Sequence, residues 1–143
     1  MLIKKEIIIN ADTKKVWEIF CELENWPKWS GCIIETKWLS KDKWKKDSKF
    51  AQTAKGFGFI KQFTSNVRIV EIKPYKKVKW TGTRKLINGT HAFEFIKING
   101  KTRIINHEYF KGLLSPLFFP LFKNGFELHF EQFLKGLKDE AEK

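Results

Sequence analysis

A chain of 143 residues that is 42% hydrophobic and 15% aromatic is too apolar to be disordered and long enough to bury a core without disulfides or metals. Its formal net charge of +12 invites a nucleic-acid partner, but among 28 basic residues only Arg68, Arg84 and Arg103 carry the planar guanidinium that base and phosphate readers favour. The lysines are spread along the chain, at Lys14 and Lys15, Lys41 to Lys49 and Lys73 to Lys85, so a solvated basic surface is expected, with an anionic membrane surface or ligand head group as the alternative and no nucleic acid as partner.

The opening MLIKKEIII lacks the apolar stretch and cleavage site of a signal peptide, and no segment approaches the ~20 apolar residues of a membrane span. A cytoplasmic protein of one domain, residues 1–143, without stable membrane insertion is the expectation. Cys21 and Cys32 have no CxxC spacing and are read as free thiols.

Ile3, Ile7 and Ile9 alternate with Lys4, Glu6 and Ile8, the pattern of a half-buried first strand. Asp12 is placed to cap a short helix whose apolar stripe is Val16, Ile19, Phe20 and Leu23. Trp26 and Trp29, one turn apart around Pro27, predict a second short helical turn that Gly31 ends. From there strands are predicted at Ile33 to Leu39, Ser48 to Ala54, Phe63 to Ile72 and Val78 to Gly82, with turns at Lys41 to Lys46 and Pro74-Tyr75. Between two of them KGFGF, Lys55 to Phe59, reads as a partly apolar, mobile loop.

The run GTHAFEFIKINGKTRIINHEYF, Gly89 to Phe110, is a hairpin. Asn99-Gly100 suits a type I′ turn, in which both central residues need positive φ. If Ile98 pairs with Lys101, then Phe95 faces Ile104, Phe93 faces Asn106 and His91 faces Glu108, all on one side of the ribbon. A His and a Glu on the greasy face cost desolvation unless paired, and three readings follow: a structural pair, a pair that holds a ligand's polar end, or an acid–base couple. His107, Glu94, Arg103 and Tyr109 fall on the opposite, solvated face.

The chain ends in a predicted long helix. Ser115 and Pro116 suit its cap and first turn, Pro120 and Gly125 should kink or loosen its beginning, and Phe126, Phe130, Phe133, Leu134, Leu137 and Ala141 form one stripe toward the sheet. The run GLLSPLFFPLF, Gly112 to Phe122, is the most apolar in the chain; packing over a cavity mouth or a second subunit is favoured for it over an exposed, membrane-facing patch. His129 stands alone on this helix, and no spacing in the chain suits a metal or a phosphate loop, so neither metal nor cofactor is expected. One strand, two short helices, an antiparallel meander and a long helix make an α+β fold in which a curved sheet of about seven strands grips the last helix.

The stretch IIINADTKKVWEIFCELENWPKW, Ile7 to Trp29, resembles the opening of the START-like (SRPBCC, birch-pollen-allergen-like) superfamily of polyketide cyclase/dehydrase and lipid-transport proteins. The run from Gly89 to Leu117, with its G-x-H-x-F and H-E-x-F strands and GLLSPL, followed by Gly125-Phe126, resembles a bacterial branch of it. The resemblance covers essentially the whole chain. It implies the helix-grip fold and an internal cavity between sheet and final helix for an apolar small molecule or lipid. Its expected lining is His91, Glu108, Phe93, Phe95, Asn106, Phe110, Trp80, Phe126 and Phe130, from an aromatic set that also holds Phe63, Phe122 and Phe133. Two rivals stand beside this binding reading: a cyclase- or dehydrase-type enzyme using the same cavity, and an interaction module with a packed core and a basic surface. A homodimer stays open.

Overall fold

The structure, a computed structural model, describes residues 1–82 and 88–143; Arg84 and Lys85, counted above among the basic residues, lie outside the described residues. Strand β1 (Leu2–Ile9) is followed by helix α1 (Thr13–Cys21), a 3₁₀ turn (Leu23–Asn25) and the short helix α2 (Trp26–Trp29). Six strands come next: β2 (Ile33–Trp38), β3 (Lys49–Lys55), β4 (Gln62–Lys73), β5 (Lys77–Gly82), β6 (Asn88–Ile98) and β7 (Lys101–Lys111). The long helix α3 (Ser115–Ala141) closes the chain. The sheet runs β1-β7-β6-β5-β4-β3-β2, antiparallel throughout, a meander whose last strand receives β1 at its edge. This is the helix-grip architecture, α+β.

Local chemistry explains the start of the chain. Ile3 and Ile9 point inward from β1, the Asp12 carboxylate accepts from the Lys15 backbone N–H at 2.8 Å, and Val16, Trp17 and Phe20 turn the inner face of α1 into the core. Gly31 ends the following helical turn at φ +75°, a conformation that favours glycine. In the β6–β7 hairpin both turn residues have positive φ, Asn99 at 46° and Gly100 at 78°, and the expected pairs form: Phe95 with Ile104, Phe93 with Asn106, His91 with Glu108.

Helix α3 differs from expectation at its start. Leu114 occupies the cap position and Ser115 is already helical and buried, because the turn at Gly112, φ +118°, delivers the chain one residue early. The Ser115 backbone N–H bonds the Gly112 carbonyl and that of Phe118 bonds Leu114, so the ladder begins before Ser115 can cap it. The helix then runs through Pro120 and Gly125 to Ala141.

The carboxy-terminal half of α3 and the short helices fill one end of the sheet's concave face. Phe20 is the hub of this plug. Its ring lies 4.9 Å from that of Phe93, 5.2 Å from those of Trp26 and Phe95, and 6.2 Å from that of Phe133. The Trp26 indole N–H donates to the Phe20 carbonyl at 2.8 Å, so its one polar atom is satisfied inside the plug. Helices α2 and α3 approach so closely that a Cβ on Gly136 would stand 2.0 Å from the Trp29 carbonyl oxygen. Gly136→Ala is therefore expected to cost about 1–3 kcal/mol through overpacking. Urea unfolding reads it, and an unchanged midpoint would contradict the close approach.

Candidate functional site

Away from the plug the concave face is hollow. A cavity of about 480 Å³ lies between β2 to β7 and the stretch of α3 from Phe118 to Phe133, with Phe57 and Ile60 of the β3–β4 loop in its wall. That volume falls within the range of small-molecule sites. Of the nine expected residues, His91, Glu108, Phe93, Asn106, Trp80, Phe126 and Phe130 line it; Phe63 and Phe133 of the wider aromatic set do so as well.

Phe95, Phe110 and Phe122 do not. Phe95 shares the inner face of β6 with Phe93, but it is two residues nearer the hairpin tip and lies beneath α1, its ring 4.9 Å from Trp17. Phe110 packs at the β1 edge with Ile3 and Phe130 in a separate cluster, and Phe122 sits against Phe57 and Phe118 outside the lining. His107 and Glu94 stay on the far face as expected, 3.7 Å apart and partly exposed.

The polar part of the cavity comes from adjacent positions of β6 and β7. The His91 ring nitrogen Nε2 is hydrogen-bonded to Asn106 Oδ1. The tautomer that lets Nε2–H donate leaves Nδ1 as an acceptor facing Glu108 Oε2 at 3.7 Å. Burial pushes the Glu108 carboxyl up to about 8 and the His91 imidazole down to about 4, the Asn106 bond opposing the latter only in part. At neutral pH the two groups face each other uncharged, so the contact is not an ion pair. Glu108 reaches its place because β6 has a glycine there: a Cβ on Gly89 would stand 2.2 Å from Glu108 Oε1.

Two polar capacities are left over. The amide nitrogen of Asn106 is buried with no partner among the described residues, and the Glu108 carboxyl comes no closer than 3.7 Å to the acceptor on His91. Each buried donor without a partner is costly, by ~1–3 kcal/mol, until something in the cavity accepts from it. Gln52 and Ser65, paired across β3 and β4, add a second polar strip to the lining.

Sequence reasoning missed several wall residues. His129 is one turn from Phe126 and Phe133, so its helical spacing places it on the same stripe; it lines the cavity, stacks on Phe63 at 5.8 Å and is held below its usual pKa by burial. Phe57 comes from the KGFGF loop and fits over Gly125, where a Cβ would stand 2.3 Å from its ring. Cys32 also lines the cavity, a free thiol that burial pushes up to about 11 and so leaves protonated at neutral pH.

These shifts fix a pH dependence. The folded protein holds a proton on Glu108 that the unfolded chain, with an ordinary value of 4.5, has released, so this contribution is full below about pH 4.5 and is lost as pH rises through about 8. His91 works in the opposite sense: its neutral ring contributes fully above 6.5, and that contribution is lost as pH falls through about 4. Glu108→Gln cannot ionise. Relative to wild type its melting temperature is expected to rise with pH and to lead by several degrees at alkaline pH; a pH-independent offset would contradict the buried neutral acid.

The comparisons with known proteins agree with the fold. The family described as polyketide cyclase / dehydrase and lipid transport matches residues 2–142. Similar solved structures include the protein TTHA0849 of Thermus thermophilus, at 14% identity and a TM-score of 0.81, covering 99% of this chain and 97% of that one. The Zhui aromatase/cyclase of Streptomyces sp. R1128 has 11% identity and a TM-score of 0.80, covering 99% and 93%. A START superfamily protein of Mycobacterium smegmatis has 13% identity and a TM-score of 0.74, covering 97% of both chains. No curated protein sequence matches. At these identities the structures speak for the fold alone, while the family match spans nearly every residue: the chain belongs to the polyketide cyclase / dehydrase and lipid transport family.

Proposed function

We propose that the protein binds an apolar small molecule or lipid-like ligand in the cavity and holds an oxygen of that ligand against Asn106 and Glu108. The observation that carries this reading is the pairing of a largely aromatic cavity of about 480 Å³ with a buried Asn106 amide nitrogen that has no partner among the described residues. Affinity would come from apolar surface leaving water, at roughly 25 cal/mol per Å². Selectivity would come from the polar end. An uncharged acid and an amide N–H accept a carbonyl, ether or hydroxyl oxygen readily, and among the described residues the lining holds no Lys or Arg to favour a carboxylate. Transport and sequestration are the uses that such binding serves.

A second reading has one observation in its favour. A protonated carboxyl beside a neutral imidazole is the pairing that acid–base chemistry on a carbonyl needs, and the structural neighbours include aromatase/cyclases. The described lining supplies no activated nucleophile, since the Cys32 thiol is protonated, and binding needs none.

The test uses 2-acetylnaphthalene and its oxygen-free analogue 2-ethylnaphthalene, titrated by calorimetry. Both are expected to bind, the ketone about fivefold more tightly, as one net hydrogen bond of about 1 kcal/mol provides. Asn106→Leu is expected to remove that advantage while leaving the hydrocarbon's affinity in place. Saturable binding of neither compound would overturn the reading.

A further inference from the structure

One end of the molecule carries a patch that the cavity does not explain. Leu113, Leu117 and Leu121 are 84%, 70% and 71% exposed, and Phe59, at the outer tip of the β3–β4 loop, is 91% exposed. Leu117 and Leu121 are four apart on α3 and so stand on one face of it. The inner face of the same turns is also apolar, through Phe118, Phe122 and Phe126. A helix segment that is hydrophobic all round needs an apolar environment on its second side. Phe59 lies beside this segment, its ring 6.4 Å from Phe122. Within the chain, the phenylalanines of GLLSPLFFPLF are packed inward and its leucines are exposed.

The charge around the exposed loop tip and the first turns of α3 is predominantly positive. Lys55, Lys61, Lys111 and Lys123 are exposed at its edges, and neither 48–70 nor 109–126 contains an Asp or Glu. Lys123 alone has an acidic partner, Glu127 at 3.1 Å. A second copy of this chain would bring the same lysines into the contact, on a body that already carries +12, and like charges would oppose the pairing. An anionic lipid surface reverses that sign and accepts the leucines and Phe59 among its acyl chains.

We infer that this end of the protein docks on the surface of an anionic bilayer, with Phe59, Leu113, Leu117 and Leu121 entering the interface and Lys55, Lys61 and Lys111 on the head groups. The docking is peripheral, since no described helix is long and apolar enough to cross a membrane. The docked segments are the outside of the cavity wall: Phe57 and Ile60 precede and follow the exposed loop tip, and Phe118 and Phe126 face inward from the exposed turns of α3. The inference stands whatever the cavity holds.

Flotation with vesicles tests it. Wild type is expected to bind vesicles of equal parts phosphatidylcholine and phosphatidylglycerol at least tenfold more strongly than vesicles of phosphatidylcholine alone, and to lose that binding in high salt. The double variant Leu117→Gln with Leu121→Gln is expected to weaken binding about tenfold or more, and Lys61→Gln with Lys111→Gln to weaken it toward the anionic vesicles only. All four side chains are exposed, so both variants should keep the wild-type melting temperature and the naphthalene titration, which separates failure here from failure of the cavity reading. Equal binding to the two vesicle types, no binding to either, or a leucine variant that binds as wild type would overturn the inference. So would a wild-type dimer in sedimentation that ignores vesicles and dissociates in the leucine variant.

Discussion

The pairing register of β6 and β7 decides the chemistry of the interior. A strand has a side-chain period of two, so a slip of one residue would exchange its whole inner face for its outer one. In the observed register His91, Phe93, Asn106 and Glu108 line the cavity while Glu94, His107 and Tyr109 face out. The turn at Asn99-Gly100 fixes this, because its two positive φ angles suit a two-residue connection and few other residues adopt them cheaply. β1 then pairs along the other edge of β7, with Ile3 opposite Glu108 and Ile7 opposite Ile104, and carries the same in-out alternation to the edge of the sheet.

Given that face, two devices divide the space above it. The aromatic plug around Phe20, Trp26 and Phe133 fills one end, with all three side chains buried, and Gly136 brings α2 and α3 close enough to seal it. Toward the other end two glycines make room for larger groups. Gly89 lets the Glu108 carboxyl lie over β6, and Gly125 lets the Phe57 ring lie against α3. The salt bridge from Lys5 to Glu131, at 2.8 Å, ties α3 to β1 but is exposed and adds little. A cavity in such a fold is a packing decision: large rings meet at one end, and glycines admit selected side chains at the other.

Much of this was legible in the residues. Alternation and the Asn-Gly turn are local signals, and they placed His91 opposite Glu108 and both on the apolar face. The stripe from Phe126 to Ala141 is likewise local, and α3 follows it. What was not legible depends on contacts between distant segments. Phe93 and Phe95 look alike in sequence; only the position of α1 makes one a wall and the other part of the plug. Phe57 and Phe59 are both aromatics in one short loop, yet Gly125 receives the first and nothing among the described residues covers the second. Ser115 had the chemistry of a cap, but the path of the chain out of Gly112 set the helix start.

The central claim is that the hollow end holds an apolar, oxygen-bearing ligand. Native mass spectrometry of the purified protein, followed by organic extraction and identification of what dissociates, tests it most directly. The account predicts a stoichiometric passenger of low polarity with at least one carbonyl, ether or hydroxyl oxygen, retained less well when Asn106 is replaced by Leu. A protein that flies bare, yields nothing on extraction and gains no mass when lipid extract is added would contradict it.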